Sequence, residues 1–116
     1  MPNNILITGG NGKLATELKK YLPGDYLSRD ELDFTKPITL KKKYDLIVHV
    51  GAYTNVKKAE FEEKEKCFSA NTYGTFNLVQ TYKDVPFIYI STEYANKPLN
   101  IYSLTKKLGE EIVKTH

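Results

Sequence analysis

Apolar residues in this chain form short runs separated by stretches with the spacing of amphipathic helices. Five of the runs predict β-strands, at residues 3–8, 25–28, 32–34, 45–50 and 86–91. Four stretches predict helices, at residues 12–22, 37–43 (with Pro37 in its first turn), 62–83 and 102–115. The longer strand runs are continuous rather than alternating, which is typical of parallel strands covered on both faces. Strand followed by helix, repeated along the chain, predicts an α/β fold with a doubly wound parallel sheet.

The first helix shows its pattern most clearly. Leu14, Leu18 and Leu22 recur every four residues, so they lie on one face of a helix. Pro23 and Gly24 follow, and Gly24 is suited to a left-handed residue at the helix C-terminus. The chain therefore predicts a helix that ends sharply before the second strand.

Length and composition narrow the class of protein. A chain of 116 residues with 41% hydrophobic residues fits a single domain at 1–116. No run reaches the roughly 18 apolar residues of a membrane span, and the start of the chain lacks the features of a signal peptide. Cys67 is the single cysteine, so no internal disulfide can form, which fits a cytoplasmic location. A net charge of +3 is too mild to predict a nucleic-acid partner.

Glycines fill the turn between the first strand and the first helix. Gly9, Gly12 and Ala15 follow the spacing G-x-x-G-x-x-A. Gly9 permits a tight turn, Gly12 leaves room for a pyrophosphate beside the backbone, and Ala15 lets the helix pack closely on the strand. The N-terminus of the helix then offers N–H groups and a partial positive charge to the phosphates. This arrangement predicts a dinucleotide site, with a plain glycine turn as the alternative.

Tyr102 and Lys106 are four residues apart, which places them on one face of a helix. A nearby ammonium group favours the phenolate and lowers the pKa of a tyrosine. Such a pair can give or take a proton at a carbonyl or alcohol. Ser91 and Thr92 end the last predicted strand, at the sheet edge where α/β proteins bind ligands, and Thr92 could hydrogen-bond the same oxygen. Together these residues favour hydride-transfer chemistry over a core tyrosine beside a solvated lysine.

Six segments carry a resemblance to a known family. They are ILITGGNGKLA, RDELDFTKP, DLIVHVGAYTNVKKAE, SANTYGTFNLV, YISTEY and PLNIYSLTKKLGEE, in that order along nearly the whole chain. With these motifs the chain resembles the extended short-chain dehydrogenase/reductase family. The resemblance implies a Rossmann-like sheet of about five strands in the order 3-2-1-4-5. It also implies an NAD(P)-dependent oxidoreductase that transfers a hydride to or from a carbonyl or alcohol, with a nucleotide-sugar as a candidate substrate.

The resemblance assigns roles to individual residues. Thr92, Tyr102 and Lys106 match the catalytic set, and Asn71 matches a helix asparagine that positions the lysine through water. Asp33 matches an aspartate near the adenine. The residues expected to bind the cofactor are Gly9, Asn11, Gly12, Lys13, Leu14, Ser28, Arg29, Asp33, Gly51, Ala52, Tyr53, Tyr102 and Lys106.

The residues after the second predicted strand bear on the choice of cofactor. An acidic residue about twenty positions past the first glycine is typical of NAD sites, and a nearby arginine is typical of NADP sites. Ser28 and Arg29 stand at this point, and Asp30 follows. Arg29 favours NADP(H), while NAD(H) stays open.

The chain departs from the family in ways that bear on activity. Thr92 and Tyr102 are only ten residues apart, where the family has a longer loop, and Glu93 stands where aspartate is usual. The chain ends at His116, without a counterpart of the next strand or of the C-terminal domain that holds the nucleotide-sugar. Two classes of function are therefore open. One is a minimal NAD(P)-dependent reductase, and the other is a non-catalytic dinucleotide-binding module that senses the cofactor or contacts a partner.

Other features are interpreted as structural. His49 within an apolar strand is interpreted as a hydrogen-bonded core histidine, Cys67 as a buried packing residue, and residues 60–66 as an exposed helix start. No cluster has the spacing of metal ligands. Apolar residues on the helices at 62–83 and 102–115 exceed what one sheet face can bury, which predicts a homodimer through these helices. The residues concerned are Phe68, Phe76, Val79, Tyr82, Leu104, Leu108 and Ile112.

Overall fold

A four-stranded parallel sheet forms the centre of the molecule. The computed structural model describes residues 4–96 and 99–115. The strands are β1 (Ile5–Thr8), β2 (Asp25–Leu27), β3 (Leu46–His49) and β4 (Phe87–Tyr89), in the order β2-β1-β3-β4. Ile7 of β1 pairs with Tyr26 of β2 on one side and with Val48 of β3 on the other, and β3 pairs in parallel with β4. The predicted α/β class with a parallel sheet is confirmed.

Helices cover both faces of this sheet. They are α1 (Lys13–Leu18), α2 (Val56–Phe61), α3 (Lys64–Phe68), α4 (Gly74–Thr81) and α5 (Ile101–Lys114), with a π-helical turn at Ser69–Tyr73 and a 3₁₀ turn at Glu93–Asn96. Successive strand residues point to opposite faces. One core therefore groups Leu6 and Ile47 with Leu78 of α4. The other groups Ile7 with Ala15 of α1. This two-sided cover explains why the strand runs are continuously apolar.

The third predicted strand, at 32–34, does not form in the described part of the chain. The observed order is the expected order without that strand. The Asp33 carboxylate accepts hydrogen bonds from the backbone N–H and the hydroxyl of Thr35, at 3.0 and 2.5 Å, and this turns the chain. Asn77 of α4 donates to the Phe34 carbonyl oxygen at 3.0 Å. Side chains therefore satisfy backbone groups here that a strand would have paired in a ladder.

The short helix predicted at 37–43 is an extended connection in the structure. Ile38 and Leu40 pack against the core that contains Leu78, and Thr39 between them is exposed. This alternation has the period of extended chain rather than of a helix. Burial of the two apolar side chains overrides the local proline signal for a helix start.

Two details of the first helix also differ from the prediction. α1 ends at Leu18, and turns follow it. Gly24 is not left-handed, since the one positive φ among the described residues belongs to Gly9. A Cβ at Gly24 would lie 2.6 Å from Ile7 Cδ1 and 2.8 Å from the Ile5 carbonyl oxygen. Glycine is therefore needed at this position for close approach to β1 rather than for its backbone angle.

The later elements follow the prediction more closely. The helical stretch at 62–83 consists of α3, the π-helical turn and α4, and the one at 102–115 is α5. β4 lies at the edge of the sheet, and its Ile88 is 49% exposed although the run was expected to be buried. Within residues 4–96 and 99–115, no helix is long and apolar enough to cross a membrane.

Candidate functional site

A cavity of about 890 Å³ opens where β1, β3 and β4 end. This edge of a parallel sheet is where α/β proteins bind ligands. Twelve of the residues expected to bind the cofactor line it: Gly9, Asn11, Gly12, Lys13, Leu14, Arg29, Asp33, Gly51, Ala52, Tyr53, Tyr102 and Lys106. Among the described residues, Ser28, Thr92 and Asn71 were expected at the site but are not part of this wall.

The turn from β1 to α1 forms one wall of the cavity. Gly9 has a φ of 64°, and a Cβ there would lie 2.7 Å from the Cα of Gly51, so both the angle and the contact require glycine. The Gly12 N–H donates to the Gly9 carbonyl oxygen at 3.0 Å and closes the turn. Ala15 is fully buried against β1, as its spacing predicted. Leu14, which was expected to bind the cofactor, is 43% exposed and lines the cavity.

Asn71 fixes the segment that follows β3. Its Oδ1 accepts from the Tyr53 N–H at 2.8 Å, and its Nδ2 donates to the Tyr53 carbonyl oxygen at 3.1 Å. Nδ2 also donates to the hydroxyl of Thr105 on α5 at 3.1 Å. Because backbone N–H can only donate and C=O can only accept, these contacts define which way the amide points. Asn71 lies in the π-helical turn, a local geometry common at functional sites.

Tyr102 and Lys106 both line the cavity, one helical turn apart on α5. The Lys106 Nζ donates to the Ile90 carbonyl oxygen at 2.7 Å and lies 4.5 Å from the centre of the Tyr89 ring. Burial lowers the pKa of Lys106 to about 8. Burial also raises the pKa of Tyr102, so the predicted lowering by the lysine does not occur in this structure. The amine is bound at the end of β4, where it interacts with Ile90 and Tyr89.

Ser91 lines the cavity, whereas Thr92, which was expected there, does not. The Ser91 hydroxyl donates to the carboxylate of Glu110 on α5 at 2.5 Å, which ties the end of β4 to the helix. Thr92 is half-buried, and its carbonyl oxygen accepts from the N–H of Ala95 in the 3₁₀ turn. The hydroxyl that the structure brings to the cavity is therefore that of Ser91.

Arg29 and Asp33, which follow β2 in the sequence, also line the cavity. Hydrogen bonds from Thr35 hold the pKa of Asp33 below its usual value, and the charge of Arg29 adds to this. The Ser28 N–H donates to the Glu31 carboxylate at 3.0 Å, which engages it in a local turn outside the wall.

Sequence reasoning missed a charged cluster in the wall. The Tyr53 hydroxyl donates to one oxygen of the Glu63 carboxylate at 2.6 Å, and Lys66 donates to the other at 2.6 Å. All three residues line the cavity, although residues 60–66 were interpreted only as an exposed helix start. The i,i+3 spacing of Glu63 and Lys66 was the available signal. The other missed wall residues are Phe34, Thr35, Val50, Thr54, Ser69, Ala70 and Ile90.

Two structural interpretations are confirmed. His49 is 1% exposed and both its ring nitrogens have hydrogen-bond partners. Cys67 is fully buried, and burial raises the pKa of its thiol. Among the described residues, no group of three or more His, Cys, Asp or Glu side chains could hold a metal ion.

Comparisons with known proteins identify similar sequences. A family profile described as RmlD substrate binding domain matches residues 3–116. The chain is similar to a dTDP-4-dehydrorhamnose reductase of Burkholderia thailandensis, with 31% identity over 130 aligned positions that cover 91% of this chain and 44% of that protein.

Solved structures extend the likeness to the fold. The crystal structure of a Bacillus anthracis dTDP-4-dehydrorhamnose reductase in complex with NADP superposes with a TM-score of 0.83 at 27% identity, covering 99% of this chain and 50% of that one. A dTDP-4-dehydrorhamnose reductase of Clostridium acetobutylicum gives a TM-score of 0.88 at 27% identity, covering 97% and 49%. This chain therefore spans about half the length of the relatives it matches.

Proposed function

The chain belongs to the family of the RmlD substrate binding domain, and we propose that it binds NADP(H) and reduces a carbonyl group. One observation carries this proposal: the glycine turn from Gly9 to Gly12 meets Tyr102 and Lys106 in a single cavity. A phosphate-accepting turn and a proton-donating pair are the two parts that a hydride-transfer enzyme must bring together.

The wall residues fit a dinucleotide phosphate by their chemistry. Gly12 borders the open space, and a Cβ there would contact only the Gly9 carbonyl oxygen, at 3.3 Å. Its missing side chain leaves the backbone accessible to a pyrophosphate. Lys13 and Arg29 bring positive charge to the same wall. Arg29 would pair with the phosphate that distinguishes NADP from NAD, as the structural relative from Bacillus anthracis with bound NADP supports.

In this proposal the nicotinamide supplies the hydride, and the protein supplies the proton. Burial raises the pKa of Tyr102, so its phenol stays protonated at neutral pH and can donate to a carbonyl oxygen. The protonated state suits reduction rather than alcohol oxidation. Lys106 would orient the bound ribose with the N–H groups that Ile90 does not engage. Thr92 remains proposed as a second donor to the substrate oxygen.

The relatives named above act on nucleotide-sugars, and we propose a nucleotide-sugar ketone as the substrate class. The charged cluster of Tyr53, Glu63 and Lys66 lies in the same cavity and offers hydroxyl, carboxylate and ammonium groups to a polyhydroxylated ligand. A second function, a dinucleotide-binding module without turnover, is favoured by one observation: Thr92, the proposed second donor, is not part of the cavity wall.

The test separates binding from turnover. NADPH binding is measured by fluorescence and thermal shift, and NADPH consumption is followed with a panel of nucleotide-linked keto-sugars. Gly12→Val should abolish binding while the protein stays folded, because the added side chain would occupy the phosphate wall. Lys20→Val, at an exposed residue just after α1, is the control. Binding without consumption would identify the module, and no binding by the unaltered protein would contradict both functions.

We also propose that two copies associate through α4 and α5. Phe76 on α4 and Leu104 on α5 are 44% and 37% exposed, which leaves apolar surface on both helices. Val79 and Tyr82 were expected at this surface but are buried. The proposed contact is therefore smaller than the sequence suggested.

A further inference from the structure

A buried chain of hydrogen bonds runs beneath the cavity. The Gly51 N–H donates to the Thr8 hydroxyl at 2.9 Å, and Thr8 Oγ1 lies 2.7 Å from His49 Nδ1. On the other side of the ring, His49 Nε2 lies 3.0 Å from Thr75 Oγ1, which donates to the Asn71 carbonyl oxygen at 2.9 Å. The residues of this hydrogen-bond network other than Gly51 are each at most 1% exposed; they are Thr8, His49, Asn71 and Thr75. The network joins β1 and β3 to α4, which contains Thr75.

The Asn71 carbonyl oxygen can only accept, and from this the direction of the other hydrogen bonds in the network is inferred. The Thr75 hydroxyl proton goes to the Asn71 carbonyl, which can only accept, so Thr75 Oγ1 must accept from His49 Nε2–H. A neutral imidazole carries one N–H, so Nδ1 is the acceptor and Thr8 donates to it. Burial lowers the pKa of His49 to about 3, with a smaller contribution from the charge of Lys106, which keeps the ring neutral. The contacts therefore select one tautomer and one order of donors.

Both ends of the chain hold backbone that lines the cavity. Gly51 is itself a wall residue and faces Gly9 across the phosphate turn. Asn71 lies at the other end. Its side-chain amide accepts from the Tyr53 N–H and donates to the Tyr53 carbonyl oxygen. The segment from Gly51 to Tyr53 is thus attached to Thr8 at its first residue and to Asn71 at its last. His49 and Thr75 connect Thr8 with Asn71.

A role in packing alone does not account for the histidine. Its ring contacts Phe34 edge-on, with centroids 4.8 Å apart, and lies 5.7 Å from the Tyr89 ring. A phenylalanine would make comparable ring contacts. It would leave the hydroxyls of Thr8 and Thr75 without the partner that His49 gives each of them, and a buried polar group that loses its partner is costly.

We propose that His49 is a positioning residue: through Thr8 and Thr75 it holds the segment Gly51–Tyr53 in the conformation that receives the dinucleotide. The cofactor part of this inference rests on the proposed function. The positioning part concerns the protein without ligand and is tested separately.

The first experiment uses the ligand-free protein. Nitrogen-detected NMR of the His49 ring should show the neutral form protonated at Nε2 and unchanged between pH 5 and 8. His49→Phe should accelerate amide exchange at Gly51 and Tyr53 by about tenfold, the effect of losing roughly one hydrogen bond. Val48→Ala is the matched control, since Val48 precedes His49 in β3 and faces the other side of the sheet. A ring protonated at Nδ1, or equal exchange in both variants, would overturn the proposal.

The second experiment measures NADPH affinity by fluorescence titration. His49→Phe should weaken binding about tenfold, whereas Val48→Ala should leave it within about twofold. His49→Gln should restore part of the loss, because its amide can donate to Thr75 from near the Nε2 position. Unchanged affinity in His49→Phe would overturn the cofactor part. If His49→Phe does not fold, Thr75→Val interrupts the same chain and takes its place in both experiments. If the unaltered protein binds no NADPH, the proposed function fails, and the exchange measurement still decides the positioning role.

Discussion

The ammonium group of Lys106 donates a hydrogen bond of 2.7 Å to the backbone carbonyl oxygen of Ile90. This bond joins α5 to the end of β4 and holds the lysine over the ring of Tyr89. The close approach depends on Gly109, because a Cβ there would collide with the Tyr89 hydroxyl. Lys106 is only 4% exposed as a result. Its charge is therefore kept in the protein interior without a carboxylate in hydrogen-bond contact among the described residues.

Burial of this charge predicts a pH-dependent stability. The pKa of Lys106 falls from 10.5 to about 8 on folding, so the unfolded chain binds more protons between these values. The contribution of Lys106 is unfavourable below pH 8 and becomes less so as the pH rises toward 10.5. Lys106→Met should therefore raise the free energy of unfolding at pH 6.5 by about 1–3 kcal/mol. The gain should shrink by pH 10, as measured by urea denaturation across this range.

The control for this measurement is Lys107→Met. Lys107 follows in the sequence but pairs with Glu111 at 3.1 Å on the outer side of α5. For Lys107→Met, the difference in the free energy of unfolding from the unaltered protein should not shrink between pH 6.5 and pH 10. A stability difference for Lys106→Met that stays constant from pH 7 to pH 10 would contradict the argument.

Arg29 should determine the preference between cofactors. Its position in the wall suits a guanidinium pair with the ribose 2′-phosphate, which NADPH carries and NADH lacks. Arg29→Ala should weaken NADPH binding about tenfold or more and leave NADH binding within about twofold, by fluorescence titration. Lys41→Ala, at an exposed lysine outside the wall, is the charge-matched control. Equal losses for both nucleotides would reject this role for Arg29.

Tyr102 should matter for turnover and not for cofactor affinity. If the protein consumes NADPH with a keto-sugar nucleotide, Tyr102→Phe should reduce kcat by about 10²–10⁴-fold, the usual contribution of a general acid. NADPH affinity should be nearly unchanged, because the lost hydroxyl acts on the substrate oxygen. Tyr73→Phe, at a tyrosine that is 56% exposed, controls for removal of a phenol. Full activity in Tyr102→Phe would exclude Tyr102 as the proton donor.

The oligomeric state can be tested by light scattering at micromolar concentration. A homodimer through α4 and α5 predicts twice the chain mass. Phe76→Glu should convert it to a monomer, because it places a charge within an apolar contact. Tyr21→Glu, at a residue that is 83% exposed beyond α1, should leave the mass unchanged. A monomeric mass for the unaltered protein would refute the dimer.

The parts of the fold that the sequence predicts are those set by neighbouring residues. Ile5, Leu6 and Ile7 form a strand because each is apolar and both sheet faces are covered. The strand expected at 32–34 does not form, because Asp33 turns the chain through Thr35 and because Asn77, 43 residues away, binds the Phe34 carbonyl. No local pattern contains that contact, so tertiary structure overrides the propensity there.

The site divides in the same way. The glycine turn and the Tyr102–Lys106 spacing are local, and the structure brings both to one cavity. The pKa of Tyr102 could not be predicted from spacing, because it depends on burial and on where the lysine amine finds its partner. The bonds between Asn71 and Tyr53 link residues 18 apart. They depend on the path of the chain between β3 and the π-helical turn, which the sequence pattern does not define.

The π-helical turn at Ser69–Tyr73 makes this segment sensitive to the insertion or deletion of a single residue. Each residue advances an α-helix by about 100°, so the extra residue in a π turn rotates everything after it relative to everything before it. Before the turn, Cys67 contacts the hydroxyl of Thr105 on α5, and after it, Leu78 faces the sheet. Deleting a single residue from the turn would restore a continuous α-helix and swing one of these two faces into solvent. Surface loops can shorten or lengthen without this penalty, whereas an insertion or deletion at this turn changes the alignment of a whole helix.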